Sequence, residues 1–181
     1  MLSARARNIL LKYACECLTG HLSGAARGAP PEDDDLKITA PVFVTLRSRG
    51  ELRGCIGELR PTEPLGPCIG TTTVESATED PRFPPVESAE LKNLSLEISV
   101  LTDMLPAKPE EVVAGKHGVY VAGNGRKALL LPQVAKEWNV DAFQLLSMAC
   151  RKAGLDQHAW RGPDVTIEIF EAEVFAVERL V

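Results

Sequence analysis

Apolar side chains recur at Ala6, Ile9, Leu10, Tyr13, Ala14, Cys17 and Leu18, the spacing of one helical face, and predict a helix over residues 3–18. SGAARGAPPEDDD, rich in glycine, proline and acid, follows as an exposed loop. Two extended runs come next, PVFVTL (41–46) and ELRGCIGEL (51–59), both read as strands. Residues 64–79 carry a weaker helical stripe at Leu65, Cys68, Ile69 and Thr72, with Gly66, Pro67 and Gly70 arguing against its first turns. DPRFPPV (80–86) is a proline-stiffened loop. LSLEISVL (94–101) alternates, with Leu94, Leu96, Ile98 and Val100 on one face. VYVA and KALLL flank Gly123-Asn124-Gly125, a hairpin signal. Pro132 opens a short helix, QVAKEW, while Asp141 suits the N-cap of FQLLSMACRKA and Gly154 its end. DVTIEIFEAEVFAV (164–177) closes the chain as one bent strand or two short ones. Helices interleaved with hairpins predict an α+β fold.

LRGCIG, residues 52–57, carries the first candidate chemistry. Arg53 and Cys55 stand two apart on a strand and share a face, while Leu52, Gly54 and Ile56 take the other. A three-residue loop, Ser48-Arg49-Gly50, would align Leu52 with Leu46 and Ile56 with Val42, keeping the apolar face whole. Cys55 then lies opposite Phe43, close to Thr45 and beside Arg53, whose cation favours a reactive thiol. Gly54 and Gly57 leave backbone amides uncovered for a ligand. The plainer reading is that Cys55 is a small apolar filler on a half-buried strand.

Composition narrows the classes. At 181 residues, 45% hydrophobic and 25% charged, the chain has the balance of a globular domain, or of two small lobes sharing a core. No apolar run approaches the ~18 residues that span a bilayer. The basic and apolar start looks like a signal peptide, but Lys12 and Glu16 interrupt it and no small-residue cleavage site follows, so it reads as a helix of the mature protein. A net charge of −5 argues against nucleic-acid binding, and Arg47, Arg49, Arg53 and Arg60 suffice only for one small anion. Five cysteines, an odd and scattered number, suit free thiols in a reducing cytoplasm.

PVFVTL…LRGCIGEL, DPRFPPV, ELKNLSLEISVLTD, GKHGVYV, ALLLPQVAKEW, CRKAGLDQHAW and FEAEVF, in this order over residues 4–177, resemble the AMMECR1-domain family, called AmmeMemoRadiSam system protein A in prokaryotes. The resemblance implies a single AMMECR1 domain over residues 1–181: an α+β fold of two lobes, mainly antiparallel sheets with flanking helices around a cleft, LRGCIG lying near that cleft. It also implies association with a Memo-like protein and a radical SAM enzyme. The chain departs from the family pattern at Pro67 and its flanking glycines, at Ala77-Thr78-Glu79 before DPRF, and at Ala128 in the second hairpin.

Cys55 and His117 are accordingly the candidate catalytic residues, His117 contributing only if the fold brings it within reach of the thiol. Arg53, Gly54, Gly57, Asp80 and Arg82 are the candidate binding residues. Asp80 before proline can also bind its own downstream backbone, and Arg82 can pair with an acid. Cys15 and Cys17 diverge by about 200° on a helix and cannot share a metal. No spacing supports structural zinc, a phosphate loop or a dinucleotide fold, so no cofactor is expected, although a metal could visit Cys55 transiently. Two readings stand: a cleft protein that binds or modifies an anionic small molecule or peptide through an Arg-flanked Cys55, and a non-catalytic accessory protein that positions a substrate for its partners.

Overall fold

A computed structural model of the chain, described over residues 1–180, divides into two compact units. One comprises Met1–Val100 and the chain from Glu173 on; the other is Leu101–Ala172. The α+β class is as the alternating patterns predict, with one four-stranded sheet in each unit.

The first unit opens with helix α1 (Ala4–Ser23), capped by the Ser3 side chain and ended by Gly24 in a left-handed conformation at φ 73°. It runs past residue 18 to Ser23, with the Thr19 and Ser23 hydroxyls turned back to backbone carbonyls of the same helix. Strands β1 (Val42–Ser48), β2 (Glu51–Glu58), β3 (Leu94–Leu101) and β8 (Ala172–Val177) form a sheet in the order β2-β1-β3-β8, so β2 lies at an edge. Helix α2 (Leu65–Thr78) forms despite its proline and glycines. Pro64 is the N-cap, so Pro67 falls in the first turn, where a missing N–H costs no intrahelical bond. Leu10, Ala14 and Leu18 of α1 join Leu65, Ile69 and Ala77 of α2 over Val42, Val44, Leu46, Leu94, Leu96 and Ile98 of the sheet.

The β1–β2 hairpin departs from the expected register. Arg49 (φ 53°) and Gly50 (φ 88°) make a two-residue turn, and the spare residue is absorbed as a bulge at Arg53. Ser48 pairs with Glu51, Arg47 with Leu52, Leu46 with Gly54, Val44 with Ile56 and Thr45 with Cys55. Leu52 thus leaves the core face and is 36% exposed. The apolar face is still kept whole, by a bulge rather than by a longer loop.

The second unit holds β4 (Leu105–Pro106), β5 (Gly118–Gly123), β6 (Arg126–Leu130) and β7 (Thr166–Phe170) in the order β4-β7-β5-β6. The Asn124-Gly125 turn is left-handed at both residues, as its sequence predicts. Helices α3 (Pro132–Glu137) and α4 (Ala142–Lys152) flank this sheet. Asp141 caps α4 and exchanges hydrogen bonds with Gln144, and Leu145, Leu146, Ala149 and Cys150 pack with Val119, Val121 and Ile167. The apolar run over 164–177 is two strands that break at Glu171 and belong to different sheets.

Candidate functional site

An edge strand leaves alternate backbone groups without a neighbour. At Cys55 a loop fills that place. Asp80 Oδ2 accepts the Cys55 N–H at 2.8 Å, and Arg82 Nη2 donates to the Cys55 carbonyl at 3.4 Å. The carboxylate holds Arg82 in turn: Oδ2 takes Nη2 at 2.6 Å, and Oδ1 takes Nε at 2.9 Å and the Arg82 backbone N–H at 3.1 Å. Asp80 is buried and Arg82 keeps 54% of its side chain exposed. The Arg82 bonds, followed by those from the Cys55 and Arg82 amides, outweigh burial and hold the Asp80 carboxyl well below the usual carboxylate range. Pro81, Pro84 and Pro85 stiffen the segment that presents both side chains.

Cys55 is half-buried, and its sulfur accepts a hydrogen bond from Thr45 Oγ1 at 3.3 Å. The register places Thr45 between Cys55 and Glu97 of β3, so thiol, hydroxyl and carboxylate line one row on the sheet face away from α1 and α2. The cation bonded to Cys55 is Arg82, through the backbone carbonyl, and its charged form is held first by Asp80. Arg53 is occupied elsewhere. Its Nε and Nη2 reach the two carboxylate oxygens of Glu90 at 2.8 and 2.9 Å, and Nη1 and Nη2 reach the carbonyls of Pro84 and Pro85 at 2.9 and 3.3 Å. This fork lowers the Glu90 carboxyl below its ordinary value. Both guanidinium groups also approach the Phe83 ring, with 5.5 Å from Arg82 and 6.0 Å from Arg53 to its centroid.

The two glycines of the motif are close-approach positions. A Cβ on Gly54 would lie 2.0 Å from the Ser76 carbonyl oxygen, so α2 sits against the strand there. Ser76 fastens that approach, accepting from the Ile56 N–H at 3.2 Å and donating toward the Val44 and Thr72 carbonyls. A Cβ on Gly57 would lie 2.3 Å from the Phe43 ring. The space over both glycines is therefore taken by the protein itself.

His117 belongs to the second unit and closes its own loop before β5. Its Nδ1 accepts the Val113 N–H at 3.2 Å, and its own N–H donates to the Val113 carbonyl at 2.9 Å. The other cysteines are packing residues. Burial, with Glu16 adding, pushes the Cys15 thiol up to about 11, and burial also raises Cys68 and Cys150. Among the described residues no three His, Cys, Asp or Glu side chains gather to hold a metal, and no helix is long and apolar enough to cross a membrane. Sequence reasoning missed Glu90, whose carboxylate also accepts the Glu87 N–H at 2.9 Å at the helical turn over Ser88–Asn93; no local pattern announces its pairing with Arg53.

The AMMECR1 family model matches residues 11–175, through both units. The chain belongs to the AMMECR1 family. A Methanothermobacter thermautotrophicus protein is 38% identical over 92% of this chain and 91% of its own length. A Thermococcus gammatolerans protein is 41% identical over 93% of this chain and 89% of its own. Among solved structures, the crystal structure of uncharacterized protein PH0010 from Pyrococcus horikoshii is similar at a TM-score of 0.92 and 34% identity, over 98% of this chain and 94% of that one. The α+β fold is thus shared with that structure, and every residue of the Cys55 site lies inside the span that the family model matches.

Proposed function

We propose that this AMMECR1-family chain holds an anionic small molecule or peptide against the Cys55 sulfur, with Arg82 as its charge partner. The observation that carries the reading is the division of labour between the arginines. Arg53 is satisfied by Glu90 and two carbonyls, whereas Arg82, oriented by Asp80, still exposes half of its guanidinium side chain beside a half-buried thiol. Thr45 donates a hydrogen bond toward the sulfur, and Arg82, bonded to the carbonyl of the same residue as that sulfur, lies where a bound anion would meet it. Family resemblance adds a Memo-like protein and a radical SAM enzyme as partners, and five unpaired thiols fit a reducing cytoplasm.

The test compares an anionic with a neutral alkylating agent. Cys55 labelling by iodoacetate and by iodoacetamide is followed by peptide mass spectrometry at neutral pH. The iodoacetate-to-iodoacetamide rate ratio should fall about 3–10-fold in Arg82→Gln, the loss of one screened charge at contact distance. An equal ratio in both proteins, or a Cys55 that labels no faster than buried Cys17, overturns the reading.

One observation favours the accessory alternative: Asp80, Arg82, Arg53 and Glu90 together fasten the LRGCIG strand to the DPRFPP loop, a purely structural use of all four. A Cys55→Ser protein with full partner binding and full pathway output selects that reading. Lost output with intact binding selects the first.

A further inference from the structure

Strand β4 stops after two residues and leaves its neighbour β7 with an open edge. Leu105 pairs with Ile169 and Pro106 with Glu168, and the Ala107 N–H donates to the Ile167 carbonyl at 3.0 Å. Continued, that register would set Pro109 opposite Val165, at a position where the two residues should exchange backbone bonds. Proline has no N–H to give. The Lys108 N–H is committed too, to Glu111 Oε2 at 2.6 Å across the helical turn over Pro109–Glu111. The chain therefore turns away from β7. By alternation with Ile167, the Val165 N–H and carbonyl aim at the side that β4 has left, and among the described residues neither has a hydrogen-bond partner.

A cavity of about 710 Å³ lies along this open edge, inside the ~300–1,000 Å³ range of ligand pockets. One wall is the start of β7 with Trp160 and Arg161, and the other is the segment over residues 106–111. Trp160 is fixed: it is buried, its indole N–H donates to Ser147 Oγ at 3.0 Å, and its ring stacks on Phe143 with 5.3 Å between centroids. The Arg161 guanidinium lies over the Trp160 ring, 4.8 Å from its centroid, and among the described residues it has no carboxylate partner. Glu110 and Glu111 stand with Lys108 on the other wall. A polyanion is repelled there, whereas one carboxylate set at Arg161 is not.

We infer that this edge binds the C-terminal segment of an extended peptide, its main chain paired with Val165 and its terminal carboxylate on Arg161. The register gives the direction. A peptide that carries on from β4, antiparallel to β7, runs from the Ile167 end toward Val165, and the chain leads from Val165 straight back to Arg161. Its carboxyl end thus arrives at the arginine. Strand addition works in this way, with backbone bonds holding the peptide and a cation reading its terminus. The surface lies wholly within the Leu101–Ala172 unit and shares no residue with the Cys55 site.

Titration of the ¹⁵N-labelled full chain with the acetylated tetrapeptide Ser-Val-Thr-Val, read by amide NMR shifts, tests the inference. Saturating shifts are expected at Arg161, Val165, Thr166 and Ile167. The C-terminal amide of the same peptide should bind about tenfold more weakly, and Arg161→Gln should remove that difference. N-methylation of alternate peptide bonds should abolish binding for one set and spare it for the other, since only every second amide faces β7. Arg161 is exposed, so the variant keeps the fold, which far-UV circular dichroism verifies. No saturation by about 10 mM peptide overturns the inference. So does undiminished binding of both N-methylated sets, which describes a cleft without strand pairing. Acetate saturating the same residues as tightly as the peptide also overturns it, since that outcome describes an anion spot alone.

Discussion

Replacing Asp80 by alanine removes the group that stands in for a neighbouring strand at Cys55. The variant leaves the Cys55 N–H, bonded at 2.8 Å in the native protein, facing a loop with no acceptor. An unsatisfied, largely buried donor costs ~1–3 kcal/mol. Arg82 also loses its carboxylate, but with 54% of its side chain exposed it can turn to water, and its share is only the ~0–1 kcal/mol of an exposed pair. The expected loss is therefore about 2–3 kcal/mol, and about half of that for Asp80→Asn, which keeps one oxygen for the amide. Urea unfolding followed by far-UV circular dichroism measures it. Tryptophan fluorescence would not serve, because Trp138 and Trp160 both lie in the Leu101–Ala172 unit.

The pH dependence follows from the same contacts. Arg82 foremost holds the folded-state Asp80 pKa below the unfolded-state value. The contribution is then complete above the unfolded pKa of ~3.9 and is lost as pH falls below it toward the folded value. The stability gap between wild type and Asp80→Asn should narrow from about pH 6 to about pH 3. Hydrogen exchange gives a residue-level check, since the Cys55 amide should exchange faster in Asp80→Ala than in Asp80→Asn. An Asp80→Ala protein within ~0.5 kcal/mol of wild type, with Cys55 exchange unchanged, would refute this account of the loop.

Gly54→Ala should cost more than the ~1–3 kcal/mol of ordinary overpacking, because the 2.0 Å obstacle is the Ser76 backbone and the whole of α2 must move. Thermal unfolding measures it, and Gly57→Ala, opposed only by the Phe43 ring, should cost less. Glu90→Gln should cost about 1–2 kcal/mol at neutral pH, since Arg53 loses a charge-assisted fork but keeps the Pro84 and Pro85 carbonyls. Glu90 titrates below its ordinary value when folded, so that difference too should fade as pH drops through the unfolded pKa of ~4.3; a pH-independent difference would sever it from the ion pair.

Where the sequence code is local, the fold was legible. The Leu94–Leu101 alternation, the Asn124-Gly125 turn and the Asp141 cap each act within a few residues, and each forms as read. Where long-range packing decides, local signals misled. Gly66, Pro67 and Gly70 weaken α2 as an isolated helix, yet Pro67 falls where its missing N–H is harmless and Gly70 is bare because Tyr13 and Arg27 converge on it. The LRGCIG hairpin shows both cases. Alternation set the parity of Gly54, Cys55 and Ile56 correctly, but the loop length depended on Arg49 adopting a left-handed φ of 53°, which an arginine does not advertise.

The candidate site divides along the same line. Proximity in sequence nominates Arg53 as the cation beside Cys55, because it stands two residues away on the strand. What decides which arginine can receive an anion is its surroundings in the fold, and the carboxylates among them come from residues 25 and 37 positions away, respectively, from the partners they hold. Each arginine sits in a carboxylate fork, Arg53 with Glu90 and Arg82 with Asp80. The Pro84 and Pro85 carbonyls take up the rest of Arg53, whose side chain is 13% exposed, whereas Arg82 stays half in solvent. An arginine's availability is thus set by what else, beyond its acid partner, surrounds it and by how much of it is left in solvent. By that criterion the DPRF loop, more than the cysteine's own strand, supplies the charge at this site.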